Sequence, residues 1–150
     1  RMSTQAMCTS FKSEILQAYH NFGTTVTRGA TTADTFKAAL YTTSATLGAA
    51  TTAYTATGEV TGTGYTAGGI ELTGATISAA TNGTVYVDFD SVTWPASQIT
   101  ARGALIYNST KSNASVATLD FGGDKTQAGN GTFTVTLPPD TASSALIRIN

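Results

Sequence analysis

From about Thr35 onward, apolar side chains recur at every second position, and that period limits what the chain can fold into more than any other feature. In "GTVYVDFD", Val85, Val87 and Phe89 share one face, and Tyr86, Asp88 and Asp90 share the other. In "GTFTVTLPP", Phe133, Val135 and Leu137 alternate with Thr132, Thr134 and Thr136. In "SVATLDFGG", Ala117, Leu119 and Phe121 alternate with Thr118 and Asp120. Successive side chains of a strand point to opposite faces, so this pattern sets one face on a core and leaves the other in water. "TFKAALYT", "GGIELTGATIS", "ITARGALIYN" and "SALIRIN" supply four more candidate strands, and their β-branched residues suit a pleated surface. Asn82-Gly83 suits a type I′ hairpin turn. "NSTKSNA" and "GGDKTQAGNG" read as polar loops. About seven strands separated by turns predict an all-β fold over residues 35–150, an antiparallel β-sandwich of jelly-roll or immunoglobulin-like type.

Residues 1–34 follow another period. In "CTSFKSEILQAYHNFG", Phe11, Ile15, Leu16, Tyr19 and Phe22 fall at helical spacing and form one apolar stripe. Thr9 or Ser10 can cap the start, Glu14 suits the helix dipole, and Gly23 can stop the helix in a left-handed conformation. "TTVTRGATTAD" then reads as an extended arm. The predicted N-terminal helix is a possible docking element, or it packs back on its own sandwich.

Composition narrows the function. Charged residues make up 11% of the chain, and the net charge is -1, against a usual charged share of about 25%. The few lysines and arginines are scattered, which argues against nucleic-acid binding. So neutral a surface suits a subunit that hides part of itself in an assembly, as a homo-oligomer or on a partner. No apolar run is long enough to span a membrane as a helix, and the first residues lack a basic-then-apolar signal pattern. The Arg1-Met2 start hints at processing or an incomplete first segment. Cys8 is the only cysteine, so no intrachain disulfide or cysteine-based zinc cage can form.

Several short motifs invite chemistry and fail on context. "EVTGTGYTAGG", Glu59 to Gly69, contains Gly62, Gly64 and Ala67 at the spacing G-x-G-x-x-A. A dinucleotide fingerprint needs a helix to follow, whereas "GGIELTGATIS" alternates like a strand. The glycines read instead as turns and close backbone passage, with Tyr65 as a core or interface anchor. "DFGGDK" lacks every partner motif of a kinase. Asp88, Asp90, Asp120 and Asp124 could form a carboxylate pair or calcium site but lack loop spacing, and read as solvated or paired with Arg102, Lys111 or Lys125. His20, the only histidine, sits on the predicted helix, which leaves no histidine-based triad or metal cluster. Trp94, before Pro95, reads as a plug at the end of the core, with a sugar-stacking platform as the alternative. The sequons at Asn82, Asn108, Asn113 and Asn130 carry little weight in a chain so rich in Thr and Ser. The residues therefore predict no catalytic, cofactor or metal site and argue against a small-molecule ligand.

A larger pattern remains. The block "FKAALYTTSATLGAATTAYTATGEVTGTGYTAGG", followed by "ELTGATIS", "YVDFDSVTW", "ITARGALIYNST", "ATLDFGGDKT" and "LPPDTASSALIRI", resembles a family of small virion structural proteins of tailed bacteriophages, and among them head decoration, or cement, proteins. The likeness covers roughly Thr35 to Asn150. It implies a non-enzymatic β-sandwich subunit on the capsid surface, a trimer by preference, which bridges subunits of the major capsid protein. It makes Glu59, Gly62, Gly64, Tyr65, Gly68, Gly69, Trp94 and Arg102 shape determinants rather than reactive groups. The alternative placement is a tail, neck or carbohydrate-binding host-attachment module, resting on Trp94 and exposed tyrosines.

Overall fold

The computed structural model describes residues 3–23, 32–80, 83–138 and 144–149. Within them the chain runs β1 (Ala6–Met7), α1 (Thr9–Leu16), β2 (Phe36–Tyr41), β3 (Ile70–Glu71), β4 (Thr76–Ala79), β5 (Val85–Asp88), β6 (Val92–Asn108), β7 (Ala114–Val135) and β8 (Ile147–Ile149). All pairings are antiparallel. The strands form a five-stranded sheet in the order β1-β7-β6-β2-β3 and a three-stranded sheet in the order β4-β5-β8. Val87 and Ile147 from the small sheet, with Phe89 just after β5, share one core with Leu40, Ala104, Ile106 and Leu119 from the large one. The predicted all-β, two-sheet organisation with a short N-terminal helix is therefore present.

The strands are fewer and longer at the centre than the turn signals suggest. β6 has 17 residues and β7 has 22, against a usual strand of about 5–6. They pair from Asn108↔Ala114 at the turn to Val92↔Val135 at the far end. "NSTKSNA" is that turn, as expected, with Ser112 and Asn113 at positive φ. "GGDKTQAGNG" is not a loop between strands, because β7 continues through it. The turn chemistry is absorbed as bulges. Arg102 lies opposite residues 121–124, and Gln98 lies opposite residues 128–130. Gly122, Gly129 and Asn130 take the positive φ values these excursions need. On β6, Pro95 falls at a third irregularity, between Trp94 and Ser97. There its missing N–H removes nothing from the ladder. The Ser97 hydroxyl donates to Trp94 O at 2.9 Å and fills that gap.

The expected wet face is missing where β2, β6 and β7 meet. From Gly103 to Asn108 on β6 and from Ala114 to Leu119 on β7, consecutive residues face opposite ways, and nearly all are buried. Thr118, expected outside, is 1% exposed. Its hydroxyl donates to Thr4 O at 2.6 Å, because the N-terminal stretch and β1 lie along β7. On the same outer face, Ala39, Tyr41, Leu105 and Tyr107 pack with Ala45, Leu47 and Tyr54 from the long connection after β2. A second small core results, so the large sheet is sandwiched between two layers.

The helix is shorter than its stripe. It stops at Leu16, and Gly23 plays no part in ending it. Cys8 rather than Thr9 or Ser10 occupies the N-cap, without a side-chain cap bond. Ala18 takes φ 55. Tyr19 N–H donates to Glu14 O at 3.1 Å and Ala18 N–H to Ile15 O at 3.2 Å, the hydrogen-bond pair of a Schellman turn. This reversal lets residues 19–22 come back over the core. Phe22 stacks on Phe36 with ring centroids 4.2 Å apart, and Phe11 meets Phe22 edge-on at 6.0 Å. Burying two phenylalanines gains about 1.5–3 kcal/mol each, which outweighs the helix propensity of the residues beyond Leu16. The five-residue stripe is thereby divided. Phe11 and Phe22 are core, Ile15 is half-buried, and Leu16 and Tyr19 are exposed. The helix packs on its own body through Phe11 and leaves Leu16 exposed. Of the Asn82-Gly83 turn, Asn82 lies outside the described residues. Gly83, at φ 85, sits in the β4–β5 connection, where Ala80 N–H donates to Thr84 O at 2.8 Å.

A left-handed alanine costs about 1–2 kcal/mol relative to glycine. Ala18→Gly should therefore raise the urea unfolding free energy by about 1 kcal/mol, with an unchanged denaturant slope. A loss of stability would show that the turn after Leu16 is not set as described.

Candidate functional site

The densest polar arrangement is built from the glycine-rich stretch that the sequence singles out. Glu59 lies in the long connection after β2, where Val60 N–H donates to Leu40 O at 2.9 Å and holds the segment along the β2 edge. Its carboxylate accepts three hydrogen bonds. Oε1 takes the Tyr65 hydroxyl at 2.6 Å and Gly68 N–H at 2.7 Å. Oε2 takes the Tyr54 hydroxyl at 2.6 Å. Tyr65 in turn accepts Leu40 N–H at 2.9 Å. One phenol thus completes the open edge of β2 beyond β3 and passes the link to the carboxylate. The Tyr107 hydroxyl closes the group by donating to Gly68 O at 2.7 Å, and its ring stacks on Tyr54 at 5.0 Å. Bonds to an ionised acceptor are the stronger ones, so Glu59 ties the connection to β2 and β6.

The glycines serve this close fit. At Gly69, φ is 74, and a Cβ would run into the Ala38 carbonyl of β2. At Gly64, φ is 78, and a Cβ would come within 2.8 Å of Ser97 Cα on β6. The stretch is not a cradle for a ligand phosphate. β3 follows it directly, with Ile70 paired to Ala38, and no helix N-terminus is there to meet an anion. Gly62 lies against the Gln98 carbonyl, and Thr63 bridges to Gln98. Gly62, Gly64, Tyr65, Gly68 and Gly69 thus all belong to one seam between the connection, β2 and β6.

Burial raises the pKa of every tyrosine in this group. Burial, then the hydrogen bond to Glu59, pushes Tyr54 from 10.0 up to about 12. The same two causes push Tyr65 higher still. Burial, then the Glu59 charge, raises Tyr41 and Tyr107. A phenol next to a carboxylate resists becoming a second anion.

The remaining candidates are dispersed. Trp94 is 3% exposed and packs on Tyr65 and Phe133. It is a core plug, and no sugar ring can stack on it. Arg102 Nε donates to Asp120 Oδ1 at 2.9 Å across the β6–β7 ladder. That bond holds Asp120 below the usual carboxylate range. Asp90 is engaged locally, accepting from the Thr73 hydroxyl at 3.3 Å. Among the described residues, no three His, Cys, Asp or Glu side chains could share a metal ion.

His20 is not on the helix. It is buried after the Schellman turn, with Nε2 2.6 Å from Glu14 Oε2 and Nδ1 3.1 Å from Asn108 Nδ2. Asn108 Nδ2 also donates to Asp34 Oδ2 at 2.7 Å, and its Oδ1 accepts Thr110 and Lys111 N–H. The amide is thereby oriented, so in the neutral ring Nδ1 accepts and the proton sits on Nε2. This network pins the N-terminal segment to the end of β6. It also buries Asn108 completely, which removes that sequon from any surface. Asn108 and Tyr54 are the structural residues that the sequence did not single out. Each resembles many other exposed-looking positions in a chain rich in Tyr, Thr and Asn.

The tyrosine group predicts an alkaline limit. Keeping Tyr54 protonated contributes stability that is fully present below the ordinary phenol value of 10.0 and is lost as pH rises through about 12. Ultraviolet titration should show this phenol ionising well after the exposed ones, and Glu59→Gln should bring it down. Tyr65→Phe leaves Leu40 N–H without its acceptor and should cost about 1–3 kcal/mol by chemical denaturation. A neutral outcome in both variants would remove Glu59 and Tyr65 as fold determinants. Compared with protein-family models, with curated proteins and with solved structures, the chain gave no match.

Proposed function

We propose that this chain is a non-enzymatic structural subunit of a tailed-phage virion, and specifically a head decoration protein that bridges major capsid protein subunits. One observation carries the reading: the chain combines very little charge with exposed aliphatic side chains on the helix and the small sheet. Charged residues are 11% of the chain, yet Leu16, Ile77, Val85 and Ile149 are 89%, 55%, 40% and 57% exposed. Val85 is paired with Ile149 in register, and Ile77, on the other neighbour of β5, is paired with Val87. Clustered exposed aliphatics of this kind mark an interaction surface rather than a solvated one. The resemblance of the β region to virion structural proteins supplies the kind of assembly.

The mechanism asked of such a subunit is simple. A protein that binds the assembled shell and not its free subunits stabilises the shell by mass action. Ile77, Val85 and Ile149 are held by strand pairing within the small sheet, so little ordering entropy opposes association through them.

The purified chain should rebind shells stripped of it at a fixed stoichiometry, and rebound shells should resist heat better than stripped ones. Its copy number per virion should be in the hundreds, as a lattice of shell sites requires. Binding to tail tubes alone, or a dozen copies or fewer, would move the protein to the neck, tail or host-attachment apparatus.

A further inference from the structure

His20 is the one histidine of the chain, and its neighbours leave no place for a second ring proton. The side chain is fully buried. Its ring centroid lies 4.8 Å from that of Phe11 and 5.4 Å from that of Tyr19, and it stacks with Phe22 and Phe36. The Asn108 amide decides its protonation. Backbone N–H groups only donate, so the atom that Thr110 and Lys111 meet at 3.1 and 3.2 Å is the amide oxygen. The nitrogen is left to face the Asp34 carboxylate at 2.7 Å and His20 Nδ1 at 3.1 Å. Nδ1 must answer with a lone pair, and Nε2 keeps the proton that it donates to Glu14 Oε2.

A proton added at Nδ1 sets two donors face to face. Turning the amide over does not cure this. It would aim the amide N–H groups at Thr110 and Lys111 N–H and the amide oxygen at the Asp34 carboxylate. The charged groups tied to the ring come from three elements. Glu14 comes from α1, Asp34 from the residues before β2, and Lys111 from the β6–β7 turn, its Nζ 3.9 Å from Asp34 Oδ1. The Cys8 thiol near Glu14, pushed up by burial above all, stays uncharged. Glu14 is the carboxylate bonded to the ring, and it favours an imidazolium. It is 27% exposed and already bonded to the neutral ring, so water weakens its pull. Burial and the Asn108 donor both oppose the charge.

What the ring fastens is a small unit. Asn21 N–H donates to Asp34 Oδ2 at 2.9 Å, and Asp34 N–H donates to Asn21 O at 3.0 Å. α1 has eight residues and no side-chain cap bond at its start, too few to persist as a helix off the body. We infer that residues 9–22 form an acid-released latch: proton uptake at His20 Nδ1 breaks the bond to Asn108, frees the segment and uncovers the Phe36 ring. The inference does not rest on the virion reading. Its sign follows from counting protons. The closed form carries none at Nδ1, whereas a freed imidazole takes one below about pH 6.5. Stability of the closed form is fully present above that value and lost as pH falls, with the open population rising about tenfold per pH unit.

The test uses the full chain. Nitrogen NMR of isotopically labelled protein reads the single histidine without ambiguity, and at about pH 7.5 it should show Nε2 protonated and Nδ1 bare. Hydrogen exchange followed by mass spectrometry, corrected for the intrinsic rate, should show residues 9–22 losing about tenfold in protection between about pH 6 and about pH 5. The β6–β7 ladder should keep its protection. His20→Phe leaves an aromatic ring in the cluster with no proton to take, and its protection over residues 9–22 should be the same at both pH values. If that variant does not fold, the wild-type chain decides alone, because loss of protection must track ring protonation in the NMR titration. A proton on Nδ1 at about pH 7.5 overturns the inference. So does a doubly protonated ring in a segment that stays protected, since Glu14 would then hold an imidazolium in the closed form. Equal loss of protection in His20→Phe also overturns it, by giving the effect to Glu14 and Asp34.

Discussion

The antiparallel ladder between β6 and β7 is the interaction on which everything else is hung. It runs from Asn108↔Ala114 to Val92↔Val135. β1 attaches to its β7 side, and β2, followed by β3, attaches to its β6 side. Residues close in sequence at the turn but distant at the far end are brought together by one continuous pairing. The bulges opposite Arg102 and Gln98 bend the ribbon without breaking it, because glycine and asparagine take the positive φ values required. Without this ladder neither core has a floor. The inner core needs Ala104, Ile106 and Leu119, and the outer one needs Leu105 and Tyr107.

Polar clamps then fix the covering layers to that floor. Glu59, through Tyr54, Tyr65 and Gly68, fastens the long connection to β2. Asn108, through His20 and Asp34, fastens the N-terminal segment to the end of β6. Both clamps replace regular strand pairing where strands run out. A buried backbone N–H must find an acceptor somewhere, and at Leu40 that acceptor is a phenol rather than another strand. The functional reading follows from what these clamps leave over. The reactive-looking groups are largely engaged in holding the fold, and the proposed role rests on what is left, a surface poor in charge with several exposed aliphatic side chains.

Much of the fold was legible because alternation at period two is a local property. Phe133, Val135 and Leu137 point inward as their spacing predicts, and "FKAALY" is a strand as its pattern predicts. The failures share a cause. "GGDKTQAGNG" carries turn residues, and local chemistry does not tell a turn from a bulge inside a paired strand. Thr118 alternates as an outward residue, and only the N-terminal stretch lying across β7 buries it. The stripe from Phe11 to Phe22 has helical spacing throughout. The stacking of Phe22 on Phe36, which ends the helix early, joins residues far apart in sequence.

By itself the sequence determined the class of structure, two antiparallel sheets with a short N-terminal helix, because side-chain periodicity and turn chemistry are written residue by residue. It also removed the dinucleotide reading of "EVTGTGYTAGG", since a strand pattern follows it. Tertiary structure alone decided what that stretch is for. Glu59 becomes a hub only when Tyr54, Tyr65 and Gly68 converge on it. Gly64 and Gly69 become necessary only when β6 and β2 pass too close for a Cβ. Trp94 was an ambiguous aromatic until packing against Tyr65 and Phe133 enclosed it. The physical reason is the same in each case: burial, close approach and hydrogen-bond satisfaction are relations between distant residues, and no local window contains both partners.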